Sequence, residues 1–151
     1  MSNSNLRQDS AANPIASLKG HHIAIRVPDY EAAKSWYVEK LGFRVIQEWP
    51  FGDLLLAYVA PPHDDSFYFE IIGDGEVSDA PIYSDINSSM YKAGYHHLCM
   101  TVNDVDEAIA YLDSKGVSLI GEPFDLDAIR RRLAFFSDPW GNIFELAQEK
   151  E

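Results

Sequence analysis

The feature that most constrains this chain is that it repeats itself. The segment HHIAIRVPDYEAAKSWYVEKLGFRVI, starting at His21, aligns with HHLCMTVNDVDEAIAYLDSKGVSLI, starting at His96, at an offset of 75 residues with one deletion near the later glycine. His21 and His96, His22 and His97, Val27 and Val102, Asp29 and Asp104, and Ala33 and Ala108 coincide at that offset. Such a period marks one supersecondary unit built twice, so both halves are given the same fold.

Each half reads as βαβββ. The opening strands, residues 22–27 and 97–102, alternate their side chains with period two. A helix follows in both. In the second copy Asp104 is the N-cap and Glu107 completes a capping box, Val105, Ala108, Ile109 and Leu112 form one apolar stripe, and Gly116 ends it. In the first copy Pro28 and Asp29 open the helix, Ala33, Trp36, Tyr37 and Leu41 suit its buried face, and Gly42 takes the C-terminal position. The strand-like runs after the helices are 43–48, 54–59 and 67–72, then 118–121, 131–136 and 143–147. Asp138-Pro139-Trp140-Gly141-Asn142 fits a tight hairpin turn, and residues 73–95, rich in Gly, Ser, Asp and Asn, link the halves.

At 151 residues the repeat fills one domain of two sharing halves. Lys and Arg total 12 against 24 Asp and Glu, and the net charge of −12 repels phosphate backbones and anionic membrane surfaces. No apolar run approaches the roughly 18 residues of a membrane span. Nucleic acid and membrane are therefore not expected partners. Residues 1–17 are polar, without the basic-then-apolar layout of a secretory signal, and are read as a flexible tail on a cytoplasmic protein. The one cysteine, Cys99, has no partner for an internal disulfide.

Alternation sorts the strand residues by face. Ile23, Ile25 and Val27 point toward the helix while His22, Ala24 and Arg26 point away; Leu98, Met100 and Val102 oppose His97, Cys99 and Thr101 in the same manner. In the last strand of each half, Glu70 opposes Phe69 and Ile71, and Glu145 opposes Phe144 and Leu146. Glu70 follows His22 by 48 residues and Glu145 follows His97 by 48, so each half supplies one His and one Glu from equivalent strands. A pseudo-twofold would bring the pairs together, and two carboxylates on a partly dry surface call for a divalent cation. Mixed nitrogen and oxygen ligands suit zinc, iron, nickel, cobalt or manganese. His21 and His96 fall on the opposite face by the same rule, and His63 lies in a Pro-Pro-His-Asp-Asp loop; all three are read as structural or solvated.

The segments HHIAIRVPDYEAAKSWYVEKLGF, FYFEII, GYHHLCMTVNDVDEA and RRRLAFFSDPWGNIFELAQ resemble the vicinal oxygen chelate superfamily, which includes glyoxalase I, extradiol dioxygenases, fosfomycin resistance enzymes and bleomycin-binding proteins. The resemblance covers residues 18–148, with modules at about 20–75 and 95–148. It implies an α+β fold in which two paired βαβββ modules form a cup-shaped mixed sheet around a metal at His22, Glu70, His97 and Glu145. A complete His-Glu-His-Glu set is similar to glyoxalase I, and Arg26 resembles the arginine that binds a glutathione carboxylate in bacterial members. Asp74 stands where the glyoxalase pattern has asparagine, and the linker is longer than in compact bacterial glyoxalases.

The resemblance implies a metal-dependent lyase or isomerase. The metal would bind adjacent oxygens of an α-hydroxycarbonyl, a glutathione hemithioacetal among the candidates, and stabilise an enediolate. Glu145, with Glu70 as the alternative, would move the proton. Arg26 would hold a substrate anion, and Tyr68, Ile72, Cys99, Thr101 and Ile143 would line the cup. The competing expectations are an extradiol-type dioxygenase and a non-catalytic module that sequesters a drug or metabolite. A homodimer is expected, because two modules leave sheet edges that need pairing.

Overall fold

A computed structural model describes residues 13–151. Most of the expected tail lies outside the described residues; its end, residues 14–17, forms a turn leading to the first strand. The order is β1 (His22–Arg26), α1 (Tyr30–Leu41), β2 (Arg44–Phe51), β3 (Leu54–Ala60), β4 (Tyr68–Gly73), α2 (Ile86–Ser89), β5 (His97–Thr101), α3 (Val105–Ser114), β6 (Ser118–Leu126), a 3-10 turn, β7 (Arg131–Ser137) and β8 (Ile143–Glu149). The strands form two four-stranded sheets of identical topology, β1-β4-β3-β2 and β5-β8-β7-β6. In each, the opening strand runs parallel to the last and the other pairs are antiparallel. The α+β fold of two βαβββ modules is what the repeat implied.

Local chemistry explains the shared elements. The Asp29 and Asp104 side chains accept from the backbone N–H groups of Ala32 and Glu107, each at 2.9 Å, satisfying N–H groups that a helix start leaves free. Gly42 ends α1 with φ of 66°, a left-handed conformation that glycine adopts without a Cβ penalty. Two strands, β2 and β6, run three or more residues past the sequence pattern. β2 continues through Pro50, which is tolerated because β2 is a sheet edge. In β6 the register shifts between Ile120 and Phe124, a bulge that hides the alternation.

The helix-facing sides of both sheets close on one core. Tyr37 of α1 packs against Phe69 of β4 and Phe144 of β8, with ring centroids 5.1 and 6.1 Å away, and Phe69 and Phe144 meet at 5.5 Å. Ile25, Val27 and Ile71 from the first module, and Val105, Phe136 and Leu146 from the second, complete the same cluster. One polar contact crosses it: the Tyr37 hydroxyl donates to Oδ2 of Asp138 at 2.5 Å. Asp138, in the β7–β8 hairpin turn, also accepts from the backbone N–H groups of Trp140 and Asn142 and from the Asn142 side chain. A buried carboxylate satisfied four times thus ties α1 of one module to the hairpin of the other. Since the helix-facing sides meet inside, the opposite faces of both sheets remain to form a site.

Candidate functional site

Strand register sets the geometry of each His–Glu pair. Glu70 stands opposite Ala24, one step diagonal from His22, and Glu145 stands opposite Cys99, one step diagonal from His97. His22 Nε2 lies 3.3 Å from Glu70 Oε2, and His97 Nε2 lies 3.2 Å from Glu145 Oε2. The carboxylate side chains are 12% and 14% exposed, so most of their hydration is lost. Among the described residues neither has a lysine or arginine as an ion-pair partner.

The two pairs do not converge within one chain. Among the described residues, no group of three or more His, Cys, Asp or Glu side chains is placed to hold a metal ion. His22 and His97 both line a groove of about 710 Å³ that also meets Phe69, Phe144 and the linker. Each module therefore presents one His–Glu pair of its own. The donor chemistry of each half fits a divalent transition metal: an imidazole nitrogen and a shielded carboxylate oxygen, aimed at each other. Burial lowers the His97 pKa, against the raising influence of Glu145, favouring the neutral imidazole that a metal needs.

The surroundings of the pairs differ. Beside His22, Tyr58 packs against Trp49 at 4.6 Å and stacks on Tyr68 at 5.6 Å. Beside His97 stands Phe135, stacked on Phe124, and Ile120, Phe135 and Ile143 are covered by Tyr83 and Ile86 of the linker. The linker is thus more than a connection: it holds a helical turn, α2, and covers part of the sheet face that carries His97 and Glu145. Asp85 caps that turn.

The other expected site residues take these places. Tyr68 and Ile72 flank Glu70 on its own face of β4, Cys99 and Thr101 follow His97 on β5, and Ile143 precedes Glu145 on β8. Partial burial, then hydrogen bonding to Glu145, pushes the Cys99 thiol up to about 12, so it stays protonated. The Arg26 guanidinium donates to the carbonyls of Val27 (2.8 Å), Ile72 (2.9 Å) and Asp74, and so clamps β1 to the end of β4. Asp74, at φ of 64°, accepts from the backbone N–H of Tyr30 at the start of α1.

His21 and His96 were placed on the wrong face by alternation. Each ring contacts the next histidine through Nδ1: His21 to His22 at 2.7 Å and His96 to His97 at 2.8 Å. Both residues precede the first paired position of their strand, so period two does not govern them. The duplicated His-His dipeptide was the available signal. Ser89 and Tyr58 were also unanticipated, since neither stands at a position where the repeat distinguishes it.

Comparison with known proteins agrees with this architecture. Residues 19–146 match the family model described as Glyoxalase/Bleomycin resistance protein/Dioxygenase superfamily. Lactoylglutathione lyase of Schizosaccharomyces pombe is 27% identical over 94% of this chain, which spans about half (51%) of that enzyme's length. Mitochondrial methylmalonyl-CoA epimerase of Bos taurus is 28% identical over 95% of this chain and 82% of its own. Among solved structures, a glyoxalase family protein from Enterococcus faecalis superposes with a TM-score of 0.70 at 29% identity, covering 86% of this chain and 97% of that one.

Proposed function

The chain belongs to the Glyoxalase/Bleomycin resistance protein/Dioxygenase superfamily, and from that premise we propose that it is a metal-dependent lyase or isomerase that moves a proton on the carbon skeleton of an α-hydroxycarbonyl. The observation that carries this reading is the duplicated His–Glu pair, at 3.3 and 3.2 Å, on corresponding faces of two equivalent sheets. Because one chain separates the halves, the working unit is a homodimer. His22 and Glu70 of one protomer meet His97 and Glu145 of the other, and twofold symmetry makes two equivalent sites.

A zinc, nickel, iron, cobalt or manganese ion held by these four residues would polarise vicinal substrate oxygens and acidify the intervening C–H. The chain's own residues do the rest. Glu145 removes the proton from the hydroxyl-bearing carbon, whose C–H electron pair becomes the carbon–carbon double bond of an enediolate; the carboxyl returns the proton to the former carbonyl carbon, and the hydroxyl proton passes to the former carbonyl oxygen. Glu70 is its counterpart from the other wall. Tyr68, Ile72, Cys99, Thr101 and Ile143 surround the reacting carbons and limit water. Arg26, with its guanidinium already oriented by three carbonyls, supplies positive charge on the same face of β1 for a substrate anion. The names of the relatives support this class, since a lyase of a lactoyl thioester and an epimerase of a methylmalonyl thioester both change bonding next to a carbonyl.

The test is metal reconstitution followed by solvent deuterium exchange. Metal-loaded protein is expected to bind about one ion per chain. It should exchange or convert the glutathione–methylglyoxal hemithioacetal or another α-hydroxycarbonyl. Catechol cleavage with oxygen uptake and no exchange would replace this reading with a dioxygenase. Tight binding of an aromatic drug with neither reaction would replace it with a sequestering module.

A further inference from the structure

The second half-site is wired to the linker by a chain of contacts whose protons can be counted. Ser89 is 2% exposed, so water does not complete its bonding. Its Oγ lies 2.6 Å from the carbonyl oxygen of Ile86 and 2.8 Å from His96 Nε2. A carbonyl has no proton to give, and two oxygens at 2.6 Å without one between them would repel. The single hydroxyl proton therefore goes to Ile86. Ser89 must then accept from His96, which places the His96 proton on Nε2 and leaves a lone pair on Nδ1. That lone pair faces His97 Nδ1 at 2.8 Å, so His97 must carry its proton on Nδ1. His97 Nε2 is left as a lone pair, aimed at the Glu145 carboxylate 3.2 Å away. Two acceptors facing each other leave a place for a cation.

The first half-site has no such anchor. His21 contacts His22 in the same way, yet its ring otherwise rests edge-on against Tyr58 and Tyr68, at centroid distances of 5.7 and 5.4 Å. Among the described residues no hydroxyl fixes its proton.

We propose that Ser89 is a positioning residue which, through His96, fixes His97 in its Nδ1-protonated tautomer, so that the His97–Glu145 pair is a preset half-site. The His22 half takes its tautomer only when the site assembles. The inference rests on the metal reading of His97 and Glu145, but the tautomer is measurable without metal. Partners of ligating histidines that set the tautomer typically alter metal affinity by about 10–100-fold.

Nitrogen-15 NMR of the imidazoles in metal-free protein, at a pH where they are neutral, is expected to show His97 protonated on Nδ1. Ser89→Ala should mix the tautomers and weaken zinc binding by about 10-fold. His96→Leu should do the same. His96→Asn should retain the wild-type His97 tautomer, because its amide oxygen can accept where Nδ1 did, and this separates wiring from loss of packing. A wild-type His97 protonated on Nε2, or a tautomer unmoved by Ser89→Ala and His96→Leu, would overturn the proposal. Tautomers that behave as expected in a protein that binds no zinc would uphold the wiring and reject the metal site.

Discussion

The first and second modules present the same His–Glu pair at the same register, and they surround it differently. The His22–Glu70 pair sits among Trp49, Tyr58 and Tyr68, rings that carry N–H and O–H groups. The His97–Glu145 pair sits beside Phe135 and Phe124 under a roof of linker residues. Backbone pairing fixes the distance between diagonal strand neighbours whatever side chains stand around them, so duplication preserves the His–Glu pair while the walls diverge. In the proposed cross-chain cup one wall can hydrogen-bond a substrate and the other mainly excludes water. A substrate with one polar and one apolar end then has a single favoured orientation, which two identical walls would not impose.

Complementation between inactive chains is the most decisive way to break this comparison. His22→Ala damages the first half-site and His97→Ala the second, and each homodimer is expected to be inactive. Mixed and allowed to exchange, the two variants form heterodimers in which one site joins the intact second half of one chain to the intact first half of the other. With random pairing, half the dimers carry one good site in two, restoring about a quarter of wild-type activity. Sites built within single chains would restore nothing. Light scattering on the same samples checks for dimers.

The carboxylates sharpen the comparison next. Glu145→Gln keeps the side-chain shape and removes the base, so turnover is expected to fall about 10²-fold or more with the fold retained. Glu70→Gln should cost less, chiefly through metal affinity. Steady-state rates at saturating metal measure both. Equal losses would mean that the proton is shared between the walls, and a larger loss from Glu70→Gln would exchange the two roles.

How far the sequence carried this reading follows from which rules act locally. Asp104 and Gly42 were legible because caps depend on neighbours within a few residues. The faces of Glu70 and Glu145 were legible because paired strands alternate strictly. Separation of the two pairs within one chain was not legible, since the repeat is equally compatible with either side of the sheets meeting. That is decided by Tyr37, Phe69 and Phe144 packing together across the modules. His21 and His96 lie outside paired strand, where alternation has no force, and the contact of Ser89 with His96 depends on a turn inside a polar linker. Arg26 illustrates a further limit: its type and position were plain, but two of its three carbonyl partners, Ile72 and Asp74, lie at and just beyond the end of β4, 46 and 48 residues away.

Stability offers a third comparison, because the repeat aligns Tyr37 with Leu112. Both are buried on their helices, and only the tyrosine makes a polar contact across the modules. Leu112→Ala is expected to cost about 2–5 kcal/mol through a cavity. Tyr37→Phe keeps the ring and leaves one acceptor of Asp138 short of a partner, a loss of about 1–3 kcal/mol. Urea midpoints measure both. A neutral Tyr37→Phe would mean that water replaces the hydroxyl and that apolar packing alone joins the modules.

The smallest effect is a pH dependence carried by Asp138, whose counterpart at the repeat offset, His63, is exposed in the β3–β4 loop. Burial is the largest influence on the Asp138 carboxyl and raises its pKa, while hydrogen bonds from Tyr37, Asn142 and Trp140 pull it down; the net direction is upward. A carboxyl with a folded pKa above its unfolded value binds its proton more tightly in the folded state. Its stabilising contribution is full below the unfolded pKa, about 3.9, and is lost as pH rises through the folded value. Stability of the wild type relative to Asp138→Asn should therefore decline from about pH 4 upward and then level off. Tyr37→Phe removes one of the bonds that lower the pKa, so in that background the decline should extend to higher pH. Urea midpoints for the four chains, wild type and both single variants and the double variant, give these differences directly. A difference that is flat across this range would show that the hydrogen bonds cancel burial, and one that grows with pH would show that they outweigh it, making the hairpin carboxylate a stabilising charge.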